Sequence, residues 1–87
     1  MYVIMVYDVG EERVGRMVKI GRKYLTWVQN SVFEGEITRS NMLRLKHEIE
    51  VNMDREYDSI TFYIISNYRY LKKEVIGREK GTPESIL

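Results

Sequence analysis

Two short apolar runs place the strongest limit on how this chain folds. Residues 2–7 read YVIMVY and residues 59–65 read SITFYII, and both are rich in β-branched and aromatic residues. Runs of this length and composition are typical of buried strands. The first run stops at Asp8, so the sequence places a carboxylate directly after a segment that is suited to burial.

The chain between these runs predicts two helices. Residues 11–25 have apolar side chains at helical spacing on one face. That face consists of Val14, Met17, Val18, Gly21, Tyr24 and Leu25. A second helix is predicted over residues 40–52, with Ser40 as its cap and His47 pointing outward. Its inner face consists of Met42, Leu45, Ile49 and Met53.

Residues 28–37 are predicted to be extended, but their polar centre at Gln29, Asn30 and Ser31 allows two interpretations. It is either a tight turn between two strands or a distortion within one strand. A further short edge strand is predicted at residues 74–76. The resulting order, β-α-β-β-α-β with an additional C-terminal edge strand, predicts an α+β fold of the ferredoxin-like type, a sandwich with both helices on one face of an antiparallel sheet.

Size and composition favour one domain over residues 1–87 that gains stability from a second copy. A chain of this length buries only about 60 to 65% of its unfolded surface on folding. It has no cysteine and a single histidine, His47, which excludes disulfides and the usual zinc sites. A sheet covered by helices on one side exposes a large apolar face. We therefore expect a homodimer through the sheet faces, in which a residue near the two-fold axis meets its own copy.

Asp8 has two interpretations on the residues alone. Asp8-Val9-Gly10-Glu11 fits the D-x-x-E form of a helix capping box, which is the commoner role for such a residue. The alternative is a metal ligand, because Mg²⁺ takes oxygen donors and typically one or two carboxylates. A bound divalent ion polarises phosphoryl oxygens and lowers the pKa of bound water. Two copies of Asp8 at a dimer axis would supply both carboxylates.

The formal net charge of +1 does not indicate a nucleic-acid-binding protein, but the distribution of the charges along the chain is uneven. The first predicted helix contains a window of cations without an acid, formed by Arg13, Arg16, Lys19, Arg22 and Lys23. These residues either track nucleic-acid phosphates or form a solvated helix surface. Phe33 and Trp27 either stack on bases or belong to the core or a dimer interface. Ser31 and Asn30 either position a phosphate or satisfy amides in a turn.

No apolar stretch approaches the roughly 20 residues that span a bilayer, so we expect a cytoplasmic protein without a membrane partner.

Four elements in their order along the chain carry a resemblance to a known family. They are Y-D-V after an apolar strand, an Arg/Lys-rich first helix, V-Q-N-S-V-F-E-G at residues 28–35, and D-S-I at residues 58–60 at the start of a strand. Together they resemble the second CRISPR-associated protein family, small dimeric proteins of the CRISPR adaptation complex. The resemblance extends from Met1 to about Gly77.

This resemblance implies a ferredoxin-like homodimer in which the Asp8 pair holds Mg²⁺ or Mn²⁺. It also implies that this dimer is a metal-dependent endonuclease acting on single-stranded RNA or double-stranded DNA. It also implies a central dimer that bridges two CRISPR integrase dimers and helps to hold spacer DNA. The resemblance further implies that residues 78–87 are a tail that crosses to the partner sheet and helps to contact the integrase.

The family's site residues map onto matching positions of this chain. Asp8 is the implied metal ligand and, with Tyr7 and Ser31, the implied catalytic set. Arg16 and Phe33 also match family positions, and together with Arg13 and Lys19 of the basic window they are the predicted nucleic-acid contacts. One departure is Leu25-Thr26-Trp27, where many relatives have glycine-x-arginine. Two alternatives remain open: an architectural nucleic-acid-binding subunit without nuclease activity, and a stand-alone ribonuclease toxin.

Overall fold

Four strands and two helices make up the computed structural model, which describes residues 1–67. The elements are β1 (Tyr2–Asp8), a 3₁₀ turn (Glu11–Arg13), α1 (Val14–Tyr24), β2 (Thr26–Gln29), β3 (Val32–Glu36), α2 (Arg39–Asn52) and β4 (Ser59–Ile65). The α+β class and the β-α-β-β-α-β order agree with the sequence prediction. The edge strand predicted at residues 74–76 and the tail at residues 78–87 lie outside the described residues.

The sheet places the most apolar strand at its centre. Its four strands have the order β2-β3-β1-β4, and every neighbouring pair is antiparallel. Met5 of β1 lies opposite Phe33 of β3 on one side and Phe62 of β4 on the other. Because β1 pairs with a strand on each side, its backbone groups are satisfied within the sheet, which suits an apolar run without polar alternation.

The β2–β3 connection combines both interpretations of its polar centre. Asn30 adopts φ 45°, the left-handed conformation that asparagine tolerates better than most residues, and it forms the turn with Ser31. The register also shifts between Trp27 and Gln29, as in a β-bulge. The segment is therefore a tight hairpin whose first strand is distorted.

The core lies between the sheet and both helices. Alternate residues of β1, namely Val3, Met5 and Tyr7, join Phe33 and the buried residues of the helices in one cluster. The helices contribute Met17, Ile20, Met42, Leu45 and Ile49. The prediction for α1 was incomplete, because Ile20 is buried whereas Val14 and Val18 are only partly buried.

Helix α1 approaches the sheet closely at Gly21. A Cβ atom at that position would lie 2.8 Å from ring carbons of Phe33, nearer than real contacts allow. The absence of a side chain at Gly21 thus lets Phe33 fill the space between helix and sheet, where it is fully buried.

Helix α2 begins earlier than predicted. Thr38, not Ser40, is its N-cap, and the Thr38 Oγ1 accepts a hydrogen bond from the Asn41 amide at 3.2 Å. Thr38 has the extended backbone that a cap requires, whereas Ser40 already lies inside the helix. Met42, Leu45 and Ile49 of the predicted inner face are buried, whereas Met53 lies at the C-cap and is only partly buried. His47 is exposed as expected. Neither helix within residues 1–67 is long and apolar enough to cross a membrane.

The face of the sheet opposite the helices is also apolar in part. Ile4 and Val32 are buried there, and Tyr2, Val6 and Val28 pack against them. Tyr63, the β4 partner of Ile4, lies on the same face and is 53% exposed. We call this the open face; its β1 residues are Tyr2, Ile4, Val6 and Asp8, which alternate with the core residues of the same strand.

Candidate functional site

Asp8 is the last residue of β1 and lies exposed on the open face. Its Cα partner in the adjacent strand is Ser59, the first residue of β4, which is also exposed. Cross-strand partners share a face of the sheet, so the side chains of Asp8 and Ser59 project from the same face. Within residues 1–67 the carboxylate makes no hydrogen bond or ion pair. It is therefore available to an external ligand.

The capping interpretation of Asp8 is wrong. Gly10 occupies the N-cap of the 3₁₀ turn and Arg13 that of α1, and neither helix start has a side-chain cap. Gly10 itself has extended backbone angles, φ −56° and ψ 144°, so the chain leaves the strand for two residues before it turns. This spacing carries the Asp8 side chain away from the first amides of the helix.

Tyr7 points to the other face of the sheet and is only 5% exposed. Its hydroxyl donates to the carbonyl oxygen of Asn30 at 3.2 Å, and its backbone amide donates to the carbonyl oxygen of Ser31 at 3.0 Å. Burial raises the pKa of the Tyr7 phenol, although its contact with the Ser31 side chain acts in the opposite direction. The phenol is thus a hydrogen-bond donor at neutral pH, and it ties the β2–β3 turn to the strand that carries Asp8.

Arg13 pairs with the buried carboxylate of Asp58. Its Nε lies 2.5 Å from Oδ2 and its Nη2 lies 2.8 Å from Oδ1, while Nη1 contacts Glu12 at 2.7 Å. The side chain of Asp58 has no exposed surface. The hydrogen bonds from Arg13 hold the pKa of Asp58 well below its usual range, and the same contact raises the pKa of Arg13. Arg13, predicted as a nucleic-acid contact, therefore has its guanidinium engaged inside the chain.

Two backbone amides complete the surroundings of Asp58. Gly10 donates to Oδ1 and Asp54 donates to Oδ2, both at 2.8 Å. The carboxylate thereby connects the loop after β1 with the loop before β4. The sequence identified this residue only as part of the D-S-I motif and did not predict its pairing with Arg13. No local pattern announces it, because the pairing joins residues 45 positions apart.

The remaining basic residues of α1 are exposed. Arg16, Lys19 and Arg22 form no ion pair within the described part of the chain, whereas Lys23 pairs with Glu48 at 2.5 Å. Arg16 and Lys19 thus present free cations to solvent. This arrangement allows contact with phosphates, and a nucleic-acid role for these two residues stays a prediction.

The two aromatic candidates differ in accessibility. Phe33 has no exposed surface and packs against Tyr7, with ring centroids 6.1 Å apart. It therefore belongs to the core and offers no ring face for base stacking, which corrects its prediction as a nucleic-acid contact. Trp27 is 47% exposed, and its Nε1 donates to the carbonyl oxygen of Asn30 at 3.1 Å. The exposed aromatic side chain of the hairpin is thus Trp27.

A single copy of the described residues does not form a complete metal centre. They contain no group of three or more His, Cys, Asp or Glu side chains placed to hold an ion. The Asp8 carboxylate has the hard oxygen donors that Mg²⁺ and Mn²⁺ prefer, and it has no competing partner within residues 1–67. Its chemistry fits such an ion provided that another carboxylate is brought to it.

These features define a class: a small α+β protein with two helices on one face of an antiparallel sheet and an acidic site at the end of the central strand. Comparison with known proteins assigns the family. The chain belongs to the family described as CRISPR associated protein Cas2, whose model matches residues 1–73.

Individual relatives agree with this assignment. The chain is 48% identical over 87 residues to the CRISPR-associated endoribonuclease Cas2 of Dictyoglomus turgidum, with complete coverage of both chains. It is 49% identical over 81 residues to the protein of that name from Thermotoga maritima, with 93% of each chain covered. The family resemblance inferred from the sequence motifs is confirmed.

Solved structures support the fold. A crystal structure of cas2 has a TM-score of 0.81 and 40% identity, and the match covers 100% of this chain and 98% of that one. The crystal structure of Streptococcus pyogenes Cas2 at pH 6.5 has a TM-score of 0.70 and 34% identity, with coverage of 79% and 92%. Both likenesses agree with the α+β architecture described above.

Proposed function

We propose that two copies of this chain form a divalent-metal-dependent endoribonuclease that acts in CRISPR adaptation in the cytoplasm. The observation that carries the proposal is the placement of Asp8, which is exposed at the end of a central strand and unpaired within the described residues. Relatives that match essentially the whole chain are named CRISPR-associated endoribonucleases, and this supports RNA as the substrate.

The open face supports a homodimer through the sheets. Tyr63 is 53% exposed there and Tyr2 and Val6 are only partly buried, whereas Ile4 and Val32 are already buried within the single chain. Pairing two such faces removes apolar surface from water, which stabilises by roughly 25 cal/mol per Å². A two-fold axis near the end of β1 would bring Asp8 next to its copy. The proposed subunit is a ferredoxin-like sandwich, and the C-terminal edge strand and partner-crossing tail remain predictions.

Each site residue has a defined part in this proposal. The two Asp8 carboxylates would hold Mg²⁺ or Mn²⁺, which when bound supplies phosphoryl polarisation and a more acidic water. The Ser31 hydroxyl and the Arg16 guanidinium would contact the scissile phosphate, with Arg16 neutralising its charge. Tyr7 would hold the turn that carries Ser31, through its hydrogen bond to the Asn30 carbonyl.

An architectural role is a second candidate, and the free cations of α1 favour it. Arg16 and Lys19 are exposed without an acidic partner in residues 1–67, as a surface that follows a nucleic-acid backbone requires. In this role the dimer would bridge integrase dimers and hold spacer DNA, and Asp8 would be dispensable. Membership in the Cas2 family favours either role over a stand-alone ribonuclease toxin.

Cleavage assays test the proposal. End-labelled single-stranded RNA and duplex DNA are incubated with Mg²⁺, Mn²⁺ or EDTA, and the wild-type protein is compared with Asp8→Ala. A matched control is Glu56→Gln, because Glu56 is also exposed but lies in the loop between α2 and β4. Light scattering checks that all three proteins are dimers.

Metal-dependent RNA cleavage that is lost in Asp8→Ala and kept in Glu56→Gln would support the enzyme. Equal inactivity of the wild type and Asp8→Ala on both substrates would contradict it and favour the architectural role.

A further inference from the structure

Asp58 links the loop that follows Asp8 to the start of the strand that pairs with Asp8. It directly precedes Ser59, the cross-strand partner of Asp8. Its Oδ1 also accepts the amide of Gly10, two residues beyond Asp8, at 2.8 Å. One buried carboxylate is thus attached to the loop that leaves Asp8 and to the start of the strand beside Asp8.

The contacts of Asp58 are saturated and specific. Oδ1 accepts from Gly10 N and Arg13 Nη2, and Oδ2 accepts from Arg13 Nε and Asp54 N, all at 2.5–2.8 Å. A buried carboxylate is tolerated only when it is paired and hydrogen-bonded. The planar fork of Arg13 fits both oxygens, so the pair has one preferred geometry. Because the Gly10 amide also donates to Asp58, the loop at residues 9–13 is held in place by the same pair.

A second ion pair in the same protein provides a contrast. Glu48 of α2 accepts from Lys23 Nζ at 2.5 Å and from the Tyr24 hydroxyl, and so it joins α2 to α1. This cluster is more exposed than Asp58, with 28% of the Glu48 side chain accessible. It has no hydrogen bond to the loop after β1. The helices are therefore joined to each other by an ion pair that does not involve Asp58.

We propose that Asp58 and Arg13 are positioning residues for Asp8, a role that rests on the nuclease function proposed above. The pair holds the loop at residues 9–13 against the start of β4, and this fixes the backbone from which the Asp8 carboxylate projects. Neither side chain touches the substrate. Partners that orient catalytic or metal-binding groups typically contribute 10- to 100-fold to affinity or rate.

The test compares Asp58→Asn with Glu48→Gln, since each substitution removes the charge from a carboxylate that accepts hydrogen bonds from a cation. For each protein we would measure the melting temperature, the Mn²⁺-dependent RNA cleavage rate, Mn²⁺ affinity with the metal alone, and hydrogen exchange at the Gly10 amide. We expect Asp58→Asn to lower cleavage or Mn²⁺ affinity by about 10- to 100-fold and to accelerate Gly10 exchange. Glu48→Gln should leave the cleavage rate, the Mn²⁺ affinity and the Gly10 exchange at the wild-type level.

If Asp58→Asn lowers the melting temperature but keeps wild-type cleavage, Mn²⁺ affinity and Gly10 exchange, the positioning role is overturned while the nuclease stands. If the wild type itself does not cleave RNA, the proposed function fails, and unchanged Gly10 exchange in Asp58→Asn would overturn the positioning role separately. Should Asp58→Asn not fold, Arg13→Lys replaces it, because lysine keeps the charge but loses the fork. The same readouts then apply, and wild-type values in Arg13→Lys would overturn the proposal.

Discussion

The side chains of Tyr7 and Asp8 leave β1 on opposite faces of the sheet. Tyr7 is buried against Phe33 and the β2–β3 turn, whereas Asp8 is exposed beside Ser59. The period of two along a strand separates neighbouring residues in this way. Substitutions at the two positions therefore affect different properties, and they can be measured independently.

Tyr7→Phe should weaken the fold more than the chemistry. The change removes the hydroxyl that donates to the Asn30 carbonyl, and a lost hydrogen bond of this kind reduces the free energy of unfolding by about 1 kcal/mol. Urea unfolding measures this effect. Because the hydroxyl is buried on the core side, RNA cleavage should fall much less than in Asp8→Ala. A fall as large as that of Asp8→Ala would assign the Tyr7 hydroxyl a direct catalytic role.

Gly21→Ala should destabilise the protein by about 1–3 kcal/mol, because the new methyl group would meet the Phe33 ring. Gly15→Ala is a matched control on the same helix, since a Cβ there has no atom within 4 Å. The control should stabilise by about 0.5–1 kcal/mol through helix propensity. Thermal unfolding of both variants checks the prediction, and equal effects would show that α1 does not pack as described.

Arg16→Ala and Lys19→Ala should each weaken nucleic-acid binding and reduce its dependence on salt. Loss of one phosphate contact lowers the slope of log affinity against log salt by about one. Fluorescence anisotropy with a labelled RNA over a range of KCl concentrations measures that slope. Lys23→Ala is the control, because Lys23 is paired with Glu48. If the control changes the slope as much as Arg16→Ala, the free cations have no special part in binding.

Acid should weaken the fold through Asp58. Hydrogen bonds from Arg13 lower the folded-state pKa of Asp58 from the ordinary value of 3.8. A depressed carboxyl pKa gives stability that is fully present above the unfolded-state value and is lost as the pH falls through the folded-state value. Unfolding free energy should thus decline below about pH 4 in the wild type and less steeply in Asp58→Asn. Parallel pH profiles for the two proteins would refute this assignment.

Local patterns predicted most of the fold. β1, β4 and the inner face of α2 follow from apolar runs and helical spacing, which depend on neighbours in sequence. The Thr38 cap and Ile20 were missed by small margins, since helix boundaries depend on backbone angles and on how α1 is rotated toward the sheet.

The candidate site was predictable only in part. Asp8 is recognisable in the sequence because a carboxylate ends an apolar strand. That its side chain does not cap the helix depends on the extended backbone at Gly10, which the sequence does not predict. The pairing of Arg13 with Asp58 is a contact between distant parts of the chain, and a single sequence contains no periodic signal for it. Phe33 was predicted wrongly for a different reason. An aromatic residue in the sequence is compatible with the core and with base stacking, and only its burial in the structure distinguishes the two.

The central position of β1 has a consequence for how activity is lost on heating. The strand is paired with β3 on one side and β4 on the other, so it cannot detach without disrupting both pairings. Segments held in this way open with the whole domain rather than by local fluctuation. Heat inactivation that requires detachment of this strand should therefore coincide with global melting instead of preceding it.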